Sequence, residues 1–382
     1  MRIVFFTRRH GPAVGGVETY IQCLARAVAG LGHHPVVVTG AHRPGLDEHE
    51  VVDGIEVYRY PAYRSPLRAW SRLMRMGSLF ARADVVHVSD TAVLEYYYRM
   101  LAWRFVRTPV FLTRHGMSMA YPVPQSEKAR ARRSLDWVHG VAHDGLFIEK
   151  WLGVTPDCTP DQGLFPEADD IAPTPEPSVD RAVFIGRLEQ DSGIGTYLEA
   201  LDILQRRHGV TLHLDVYGDG TELPRLRRYA AEHRLAVSFK AACPDARARL
   251  VDGAFALVTG RMAIQEAMAR RRLVIAVYDN PLKRDYLTAE RFSPYLLAGG
   301  SAEAISDHLI YYRRRPGARR AMIERAYAYA RTLSWPTTAE AYCRLWRAAP
   351  RRVMPPSWSQ RMKTARALVR ERRGNMPLAI RR

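Results

Sequence analysis

The sequence is poor in the residues that build crosslinked or metal-bound folds. Four cysteines stand among 382 residues, and no two of them have CxxC or metal-site spacing: Cys23, Cys158, Cys243 and Cys343. The pattern predicts neither a disulfide framework nor a zinc site, and a reducing cytoplasm is the simplest expectation. No apolar run reaches the ~18 residues that a membrane-spanning helix needs. The opening MRIVFFTRRHGP becomes charged too early for a signal peptide, and it predicts a first strand instead.

Acidic residues are scarce relative to basic ones. The chain has 57 Lys and Arg against 39 Asp and Glu, a net charge of +18. That balance favours an anionic partner such as nucleic acid, anionic lipid or a phosphorylated substrate. Half of the excess lies in residues 350–382, which hold ten cations and one acid. Nucleic acid is disfavoured because the cations are not interleaved with aromatic residues on one face and no recognition motif is present.

Apolar runs of strand length alternate with helix-periodic segments in two blocks, and the hydrophobic content of 47% supports sizeable cores. Residues 155–180, with six prolines and seven acids, separate the blocks as a linker. We therefore predict two facing, doubly wound Rossmann-like α/β domains with an interdomain cleft as the default site. The predicted parts are an N-terminal domain at 1–170, a C-terminal domain at 171–335, a helix at 336–349 packing back towards the N-terminal domain, and a basic tail at 350–382.

The segment from Ala254 to Leu287 is the best candidate for an anion site. It is predicted to form a strand, a turn at Thr259-Gly260, a helix from about Met262, a second strand and a loop. A glycine turn entering a helix at the carboxyl end of a parallel strand is where α/β sheets bind anions. Glu266 either reaches a ligand's hydroxyls or only favours the positive end of the helix, and this segment alone does not decide.

Two further candidates follow predicted strands of the first block. Gly15 and Gly16 lie between strand one and a helix, where glycine permits close approach of a phosphate or sugar. His115 ends the strand predicted at 110–113, at the edge where such sheets bind ligands. The alternatives are an ordinary packing turn for the glycines and a structural imidazole for His115.

Two basic amphipathic segments, residues 66–82 and 360–373, carry arginines beside large apolar side chains. Such helices bind membrane surfaces or amphiphilic acceptors. The alternatives are an ordinary half-buried helix with solvated arginines for the first and a disordered tail for the second.

Taken in order, short motifs up to about residue 349 resemble the retaining glycosyltransferases of the GT-B fold in family 4, also called group 1. The motifs that carry the resemblance are GGVE at 15–18, DVVHVSD at 84–90, HG at 115–116, FIGRL at 184–188, YGDG at 217–220, QEAMA at 265–269 and LSWPTTAEAYCRLW at 333–346. Their order and spacing together are specific, although each is short.

The resemblance implies roles for the matching positions. Gly15 and Gly16 would line the donor diphosphate and sugar, His115 would contact the donor sugar, and Arg187 would pair with the diphosphate. The glycines Gly218 and Gly220 would border the nucleotide. Glu266 would bind the ribose hydroxyls. Five consecutive residues would offer backbone N–H groups to phosphate and sugar: Gly260, Arg261, Met262, Ala263 and Ile264.

Two positions depart from the family pattern. Ser192 stands where a lysine usually follows the arginine of the GRL motif by five residues, and Val258 stands where a glutamate usually precedes Glu266 by eight. We hypothesise that Lys283 or Arg261 replaces the lost lysine. The alternative is that DNPLKRDY at 279–286 is only a helix-start loop, capped by its aspartate or asparagine.

The function implied is transfer of a sugar from a nucleotide-sugar donor to an acceptor with retention of configuration, as in a hexosyltransferase-like enzyme of class EC 2.4. No metal or other cofactor is expected, since cations and helix dipoles carry the charge of the leaving group. The basic segments point to a glycan or lipid-linked acceptor in bacterial envelope assembly, at the inner face of the membrane; a small-molecule acceptor is the other choice. The alternative function is a catalytically inactive homologue that binds nucleotide or a partner protein.

Overall fold

The computed structural model describes residues 1–13, 15–62, 66–100, 108–116, 120–164, 177–241 and 246–348. It divides into two compact α/β units. The first runs from Met1 to Gln162 and resumes at Trp335, and the second spans Gly163–Ser334. Cys243, the predicted helix at 360–373 and the rest of the basic tail lie outside the described residues.

The first unit is built on a seven-stranded sheet in the order β3-β4-β2-β1-β5-β6-β7, parallel except for the β3–β4 hairpin. Its strands are β1 Arg2–Thr7, β2 His34–Gly40, β3 His49–Val52, β4 Ile55–Tyr60, β5 Val85–Val88, β6 Val110–Arg114 and β7 Gly140–His143. Its helices before the crossing to the second unit are α1 Gly16–Gly30, α2 Pro66–Arg75, α3 Gly77–Ala81, α4 Thr91–Met100, α5 Gln125–Arg133 and α6 Phe147–Leu152.

The second unit is built on a six-stranded parallel sheet in the order β10-β9-β8-β11-β12-β13. Its strands are β8 Arg181–Ile185, β9 His213–Tyr217, β10 Val237–Lys240, β11 Phe255–Leu257, β12 Leu273–Val277 and β13 Leu297–Gly299. Its helices are α7 Ile194–His208, α8 Leu223–Glu232, α9 Arg261–Ala269, α10 Pro281–Thr288, α11 Ala302–Arg314 and α12 Pro316–Ala330. The last helix, α13 Trp335–Arg347, returns to the first unit.

Both faces of the first sheet are buried, as parallel sheets require. Successive residues of β1 point to opposite faces, so that Ile3 and Phe5 join one core while Val4 and Phe6 join the other. Helices α1 and α13 cover the first of these faces. Helices α2 and α3 cover the second with Leu73 and Phe80.

The basic segment at 66–82 is two helices that meet at Met76, not one. Leu73, Met76 and Phe80 are buried in the core of the first unit, and Arg72 pairs with Glu48 at 2.9 Å. These contacts favour the half-buried helix over the membrane-surface alternative. None of the helices in the described parts of the chain is long and apolar enough to cross a membrane.

Two backbone loops of the second unit lie against each other at the ends of β8 and β9. The Leu188 N–H donates to the Asp219 carbonyl at 2.8 Å, and the Glu222 N–H donates to the Leu188 carbonyl at 3.0 Å. A Cβ atom at Gly218 would lie 1.9 Å from the Gly186 carbonyl oxygen, and one at Gly220 would lie 2.3 Å from that of Leu188. Glycine is therefore required at both positions by the approach of the two loops.

Replacing Gly218 with alanine is expected to lower the free energy of unfolding of the second unit by about 1–3 kcal/mol or more, because the backbone must move to admit the methyl group. Urea unfolding would measure the change. Gly317→Ala is the matched control: a Cβ there meets nothing within 4 Å and lies on α12, so its stability should be equal or slightly higher. Equal stability of Gly218→Ala and wild type would contradict the close approach.

Candidate functional site

The carboxyl ends of the parallel strands gather the predicted donor residues of the second unit. Strand order reverses between β8 and β11, which are neighbours in the sheet. Ligands of open α/β sheets bind at such a switch point, outside the carboxyl ends of the strands. The loop after β8, at 186–193, carries Arg187 and Ser192, and the loop after β11 leads into α9.

Arg187 is an exposed cation at this edge. Its side chain is 71% exposed and its guanidinium pairs with Asp191, four residues later, at 2.8 Å. An exposed pair of this kind contributes about 0–1 kcal/mol. Arg187 can therefore exchange Asp191 for a more highly charged anion at little cost.

Lys283 reaches the same loop from a different element. Its Nζ donates to the Asp191 carbonyl at 2.7 Å and lies 2.9 Å from the Asp279 carboxylate. The side chain is only 18% exposed. Since Asp191 directly precedes Ser192, the Lys283 ammonium lies beside the backbone at the position where the family pattern has its lysine.

The loop before α10 also contains the predicted helix cap. Asn280 is the N-cap residue, and its side-chain oxygen accepts the Lys283 backbone N–H at 3.0 Å. The two sequence alternatives for this segment are therefore compatible. Asn280 caps the helix, and the cap places the Lys283 side chain towards the loop after β8.

Arg261, the other candidate for the lost lysine, is held in a buried ion pair. Its guanidinium bonds to Glu290 at 2.6 Å and stacks on Phe292 at 5.2 Å, with 9% of its side chain exposed. Removing a charge from such a pair typically costs about 3–5 kcal/mol. Arg261 thus fits a structural role better than the role of a replacement cation.

The N-terminus of α9 has free space beside its N-cap residue. Gly260 is the N-cap, and a Cβ there would meet nothing within 4 Å. The Ile264 N–H donates to the Gly260 carbonyl at 2.9 Å, so it is used inside the helix. The N–H groups of Met262 and Ala263 belong to the first turn, which has no carbonyl of its own helix to bond.

Glu266 is buried on α9 beside two arginines. Its carboxylate lies 3.1 Å from Arg247, in the 3₁₀ segment Ala246–Asp252. Burial raises the pKa of Glu266 from 4.5 to about 7, while Arg247 and Arg270 act in the opposite direction. Eight residues earlier, where the family pattern has a carboxylate, the chain has Val258, whose side chain is fully buried.

The glycine loop of the first unit leads into α1. A Cβ at Gly15, the N-cap, would lie 2.2 Å from a Glu18 carboxylate oxygen, so Glu18 folds back over the start of the helix. At Gly16 a Cβ would meet nothing within 4 Å. Arg59 fixes the loop by donating to the Gly11 carbonyl at 2.6 Å.

His115 follows β6 and is held by residues that the sequence did not single out. Its Nδ1 lies 2.6 Å from an Asp144 carboxylate oxygen, and its ring forms a T-shaped contact with the Tyr20 ring, with the centroids 5.2 Å apart. Asp144 directly follows β7. The rule that points to His115, a polar residue at the carboxyl end of a parallel strand, also points to Asp144, because β7 ends at His143.

A buried hydrogen-bond network links this region to α13. The Tyr342 hydroxyl lies 2.9 Å from that of Tyr20 and 2.8 Å from Thr113 Oγ1. Thr113 Oγ1 is also 2.7 Å from His87 Nε2, and His87 Nδ1 accepts the Trp346 indole N–H at 3.1 Å. Burial lowers the pKa of His87 to about 3, so it is a neutral imidazole with both nitrogens bonded.

In the parts of the chain that the structure describes, no group of three or more His, Cys, Asp or Glu residues is placed to hold a metal ion. At the carboxyl edge of the second unit, Arg187 pairs with Asp191 and Lys283 pairs with Asp279.

The raised pKa of Glu266 predicts a specific pH dependence of stability. As pH rises from about 4.5 to about 7, the unfolded chain loses this proton before the folded chain does, so the free energy of unfolding falls. In Glu266→Gln that loss should disappear. The free energy of unfolding of the variant, relative to that of wild type, should therefore rise between pH 5 and pH 7.5. Urea unfolding at both pH values tests this, with exposed Glu324→Gln as control. Parallel pH profiles for Glu266→Gln and wild type would show the burial account to be wrong.

Solved structures resemble the whole described fold. A glycosyltransferase from Rickettsia africae ESF-5 matches with a TM-score of 0.68 at 17% identity, over 90% of this chain and 98% of that one. Sucrose-phosphate synthase from Thermosynechococcus elongatus matches with a TM-score of 0.70 at 16% identity, over 91% and 98%. Anabaena HepE in complex with UDP and glucose matches with a TM-score of 0.70 at 14% identity, over 91% and 99%. These similarities and the two sheets of mainly parallel strands confirm the predicted α/β fold class, GT-B.

Family models match both units. Residues 15–145 match the glycosyl transferase 4-like domain, and residues 172–329 match the glycosyl transferases of group 1. Comparison with curated proteins finds no match to the sequence. The two family matches occupy successive parts of the chain in GT-B order, and they show that it belongs to the group 1 glycosyltransferases, with an N-terminal domain of the family 4-like type.

Proposed function

We propose that the chain transfers a sugar from a nucleotide-sugar donor to an acceptor, and that its second unit binds the donor. The observation that carries the proposal is the position of Lys283. Its ammonium lies 2.7 Å from the carbonyl of Asp191, the residue before Ser192, on the loop that also carries Arg187. Two cations from different elements thus converge on one loop at the carboxyl edge of the sheet.

The donor diphosphate is the group that this arrangement fits. Arg187 offers a planar guanidinium for bidentate contact with phosphate, and Lys283 offers a point charge. The first turn of α9, from Gly260 through Arg261, Met262 and Ala263, adds backbone N–H groups and the positive end of the helix dipole. These groups stabilise the negative charge that develops on the leaving diphosphate as the glycosidic bond breaks.

The nucleoside part of the donor is assigned to the neighbouring groups. Glu266, once ionised, accepts hydrogen bonds from the ribose hydroxyls, with Arg247 holding the carboxylate. Gly218 and Gly220, which lie close against the loop after β8, are assigned to border the nucleotide.

The first unit is assigned the acceptor and a contact to the donor sugar. His115 and the glycine loop at Gly15 and Gly16 follow the carboxyl ends of β6 and β1. Transfer with retention of configuration follows the resemblance to family 4. The acceptor is proposed to be a glycan or lipid-linked glycan of the bacterial envelope, at the cytoplasmic face of the membrane, because the sequence after residue 350 is strongly basic.

The replaced positions favour a second candidate function. Val258 is apolar and fully buried where the family pattern has a carboxylate, and Ser192 carries no charge. A homologue that binds nucleotide or a partner enzyme without turnover would tolerate both replacements. Thermal shifts with UDP-, GDP-, ADP- and dTDP-sugars, together with assays of nucleotide release, separate the two functions. Release of nucleotide supports transfer, whereas binding without release from any donor supports the inactive homologue.

Lys283→Ala tests the proposed diphosphate site directly. Loss of a charged hydrogen bond to phosphate is expected to weaken UDP-glucose binding by about 10–100-fold and to lower nucleotide release, since such bonds contribute about 1.5–3 kcal/mol. Isothermal titration and a UDP-release assay measure both quantities. The neighbouring cation Arg284, which is half exposed and lies 3.6 Å from Asp285, supplies the control Arg284→Ala, expected within about twofold of wild type. Unchanged affinity and turnover in Lys283→Ala would remove Lys283 from the site.

A further inference from the structure

The Asp144 side chain brackets the residues that follow β6. One carboxylate oxygen lies 2.6 Å from His115 Nδ1, and the other accepts the Gly116 N–H at 3.3 Å. The backbone N–H of Asp144 donates to the Arg114 carbonyl at 3.1 Å. Asp144 therefore contacts three consecutive residues and fixes both the backbone and the imidazole of the His115 segment.

Packing prevents the His115 ring from turning away from this carboxylate. The ring contacts Tyr20 edge-on at 5.2 Å, and only 10% of the His115 side chain is exposed. The backbone beside it is equally confined, because a Cβ at Gly116 would lie 2.5 Å from Phe147 and 2.6 Å from Ile148. The orientation of the imidazole is thus imposed from several sides.

The two nitrogens of His115 then have different roles. An ionised carboxylate only accepts hydrogen bonds, so in the neutral imidazole the nitrogen facing Asp144 carries the proton. Nε2 keeps its lone pair. Nε2 is buried and has no hydrogen-bond partner among the residues that the structure describes. A buried acceptor without a donor costs free energy, so a ligand hydroxyl that donates to Nε2 would be bound favourably.

We propose that Asp144 is a positioning residue that holds His115 in the Nδ1–H tautomer, so that Nε2 accepts a hydrogen bond from a hydroxyl of the donor sugar. The inference rests on the proposed function for the identity of the ligand. The tautomer itself is a property of the free protein. Asp144 touches no reacting atom and acts through the imidazole, by the same logic with which a buried aspartate orients the histidine of a hydrolase triad.

The tautomer can be measured without substrate. In protein labelled with 15N-histidine at pH 7.5, His115 is assigned by the signals lost in His115→Gln. Wild type should show protonated Nδ1 and unprotonated Nε2, and Asp144→Asn should shift the proton to Nε2 because an amide can donate to Nδ1. Asp157→Asn is the matched control: that carboxylate accepts the Val141 N–H at 2.8 Å, which an asparagine oxygen also can. A doubly protonated His115, an Nε2–H tautomer in wild type, or unchanged signals in Asp144→Asn would overturn the proposal.

Binding separates the role of the tautomer from the choice of donor. The ratio of the Kd for UDP to that for UDP-glucose reports the contribution of the sugar, and Asp144→Asn should lower it about 3–10-fold while leaving UDP binding unchanged. Asp157→Asn should leave the ratio at the wild-type value. An unchanged ratio despite a changed tautomer would overturn the contact with the sugar.

If wild type bound neither UDP nor UDP-glucose, the proposed function would fail for this donor, and the NMR result would still decide the role of Asp144. Asp144→Ala should lower the same ratio, which shows that the effect does not depend on asparagine itself. Circular dichroism checks that this variant is folded.

Discussion

The backbone contact between the loops after β8 and β9 is the constraint on which the nucleotide edge of the second unit depends. Leu188 exchanges backbone hydrogen bonds with Asp219 and Glu222, and glycines at 218 and 220 let the two loops approach. The contact holds the start of the loop at 186–193, where Arg187 lies. Lys283 bonds to the Asp191 carbonyl farther along the same loop.

The burial of a cation's existing ion pair determines how much free energy is needed to free that cation for a ligand. Breaking the pair of Arg261 with Glu290 would leave a buried charge, at a typical cost of about 3–5 kcal/mol. The exposed pair of Arg187 with Asp191 contributes about 0–1 kcal/mol. Lys283 lies between these limits, since it is mostly buried yet bonds to a neutral carbonyl and an exposed carboxylate. The difference of several kcal/mol favours Arg187 and Lys283 as diphosphate ligands, although Arg261 is nearest to the glycine turn in sequence.

The fold could be predicted from sequence wherever burial leaves a continuous apolar run. Central strands such as β1, RIVFFT, and β12, LVIAV, are such runs. The strand β13, Leu297–Gly299, has only three residues, which are too few to show a pattern in the sequence. The segment at 66–82 has helical periodicity throughout, and periodicity does not reveal that the helix breaks at Met76.

Site residues could be predicted only where they directly follow the carboxyl end of a predicted strand. His115 follows a strand, and Arg187 lies in a motif after one. The approach of Lys283 to Asp191, which are 92 residues apart, depends on the pairing of strands β8, β11 and β12 and on the Asn280 cap. From the sequence, Lys283 and Arg261 are both candidates for the lost lysine, and the burial of Arg261 in its pair with Glu290 distinguishes them.

The final helix explains why the chain returns to its first unit. Tyr342 on α13 bonds at once to Tyr20 and Thr113, and Tyr20 packs against His115. Each of these polar groups is buried, where an unmade hydrogen bond costs about 1–3 kcal/mol. The network is satisfied only when α13 is docked on α1. The orientation of His115 is therefore set by Asp144 on one side and, through Tyr20, by the last helix of the described chain on the other, so the stability of that helix and the geometry of the proposed sugar contact are coupled.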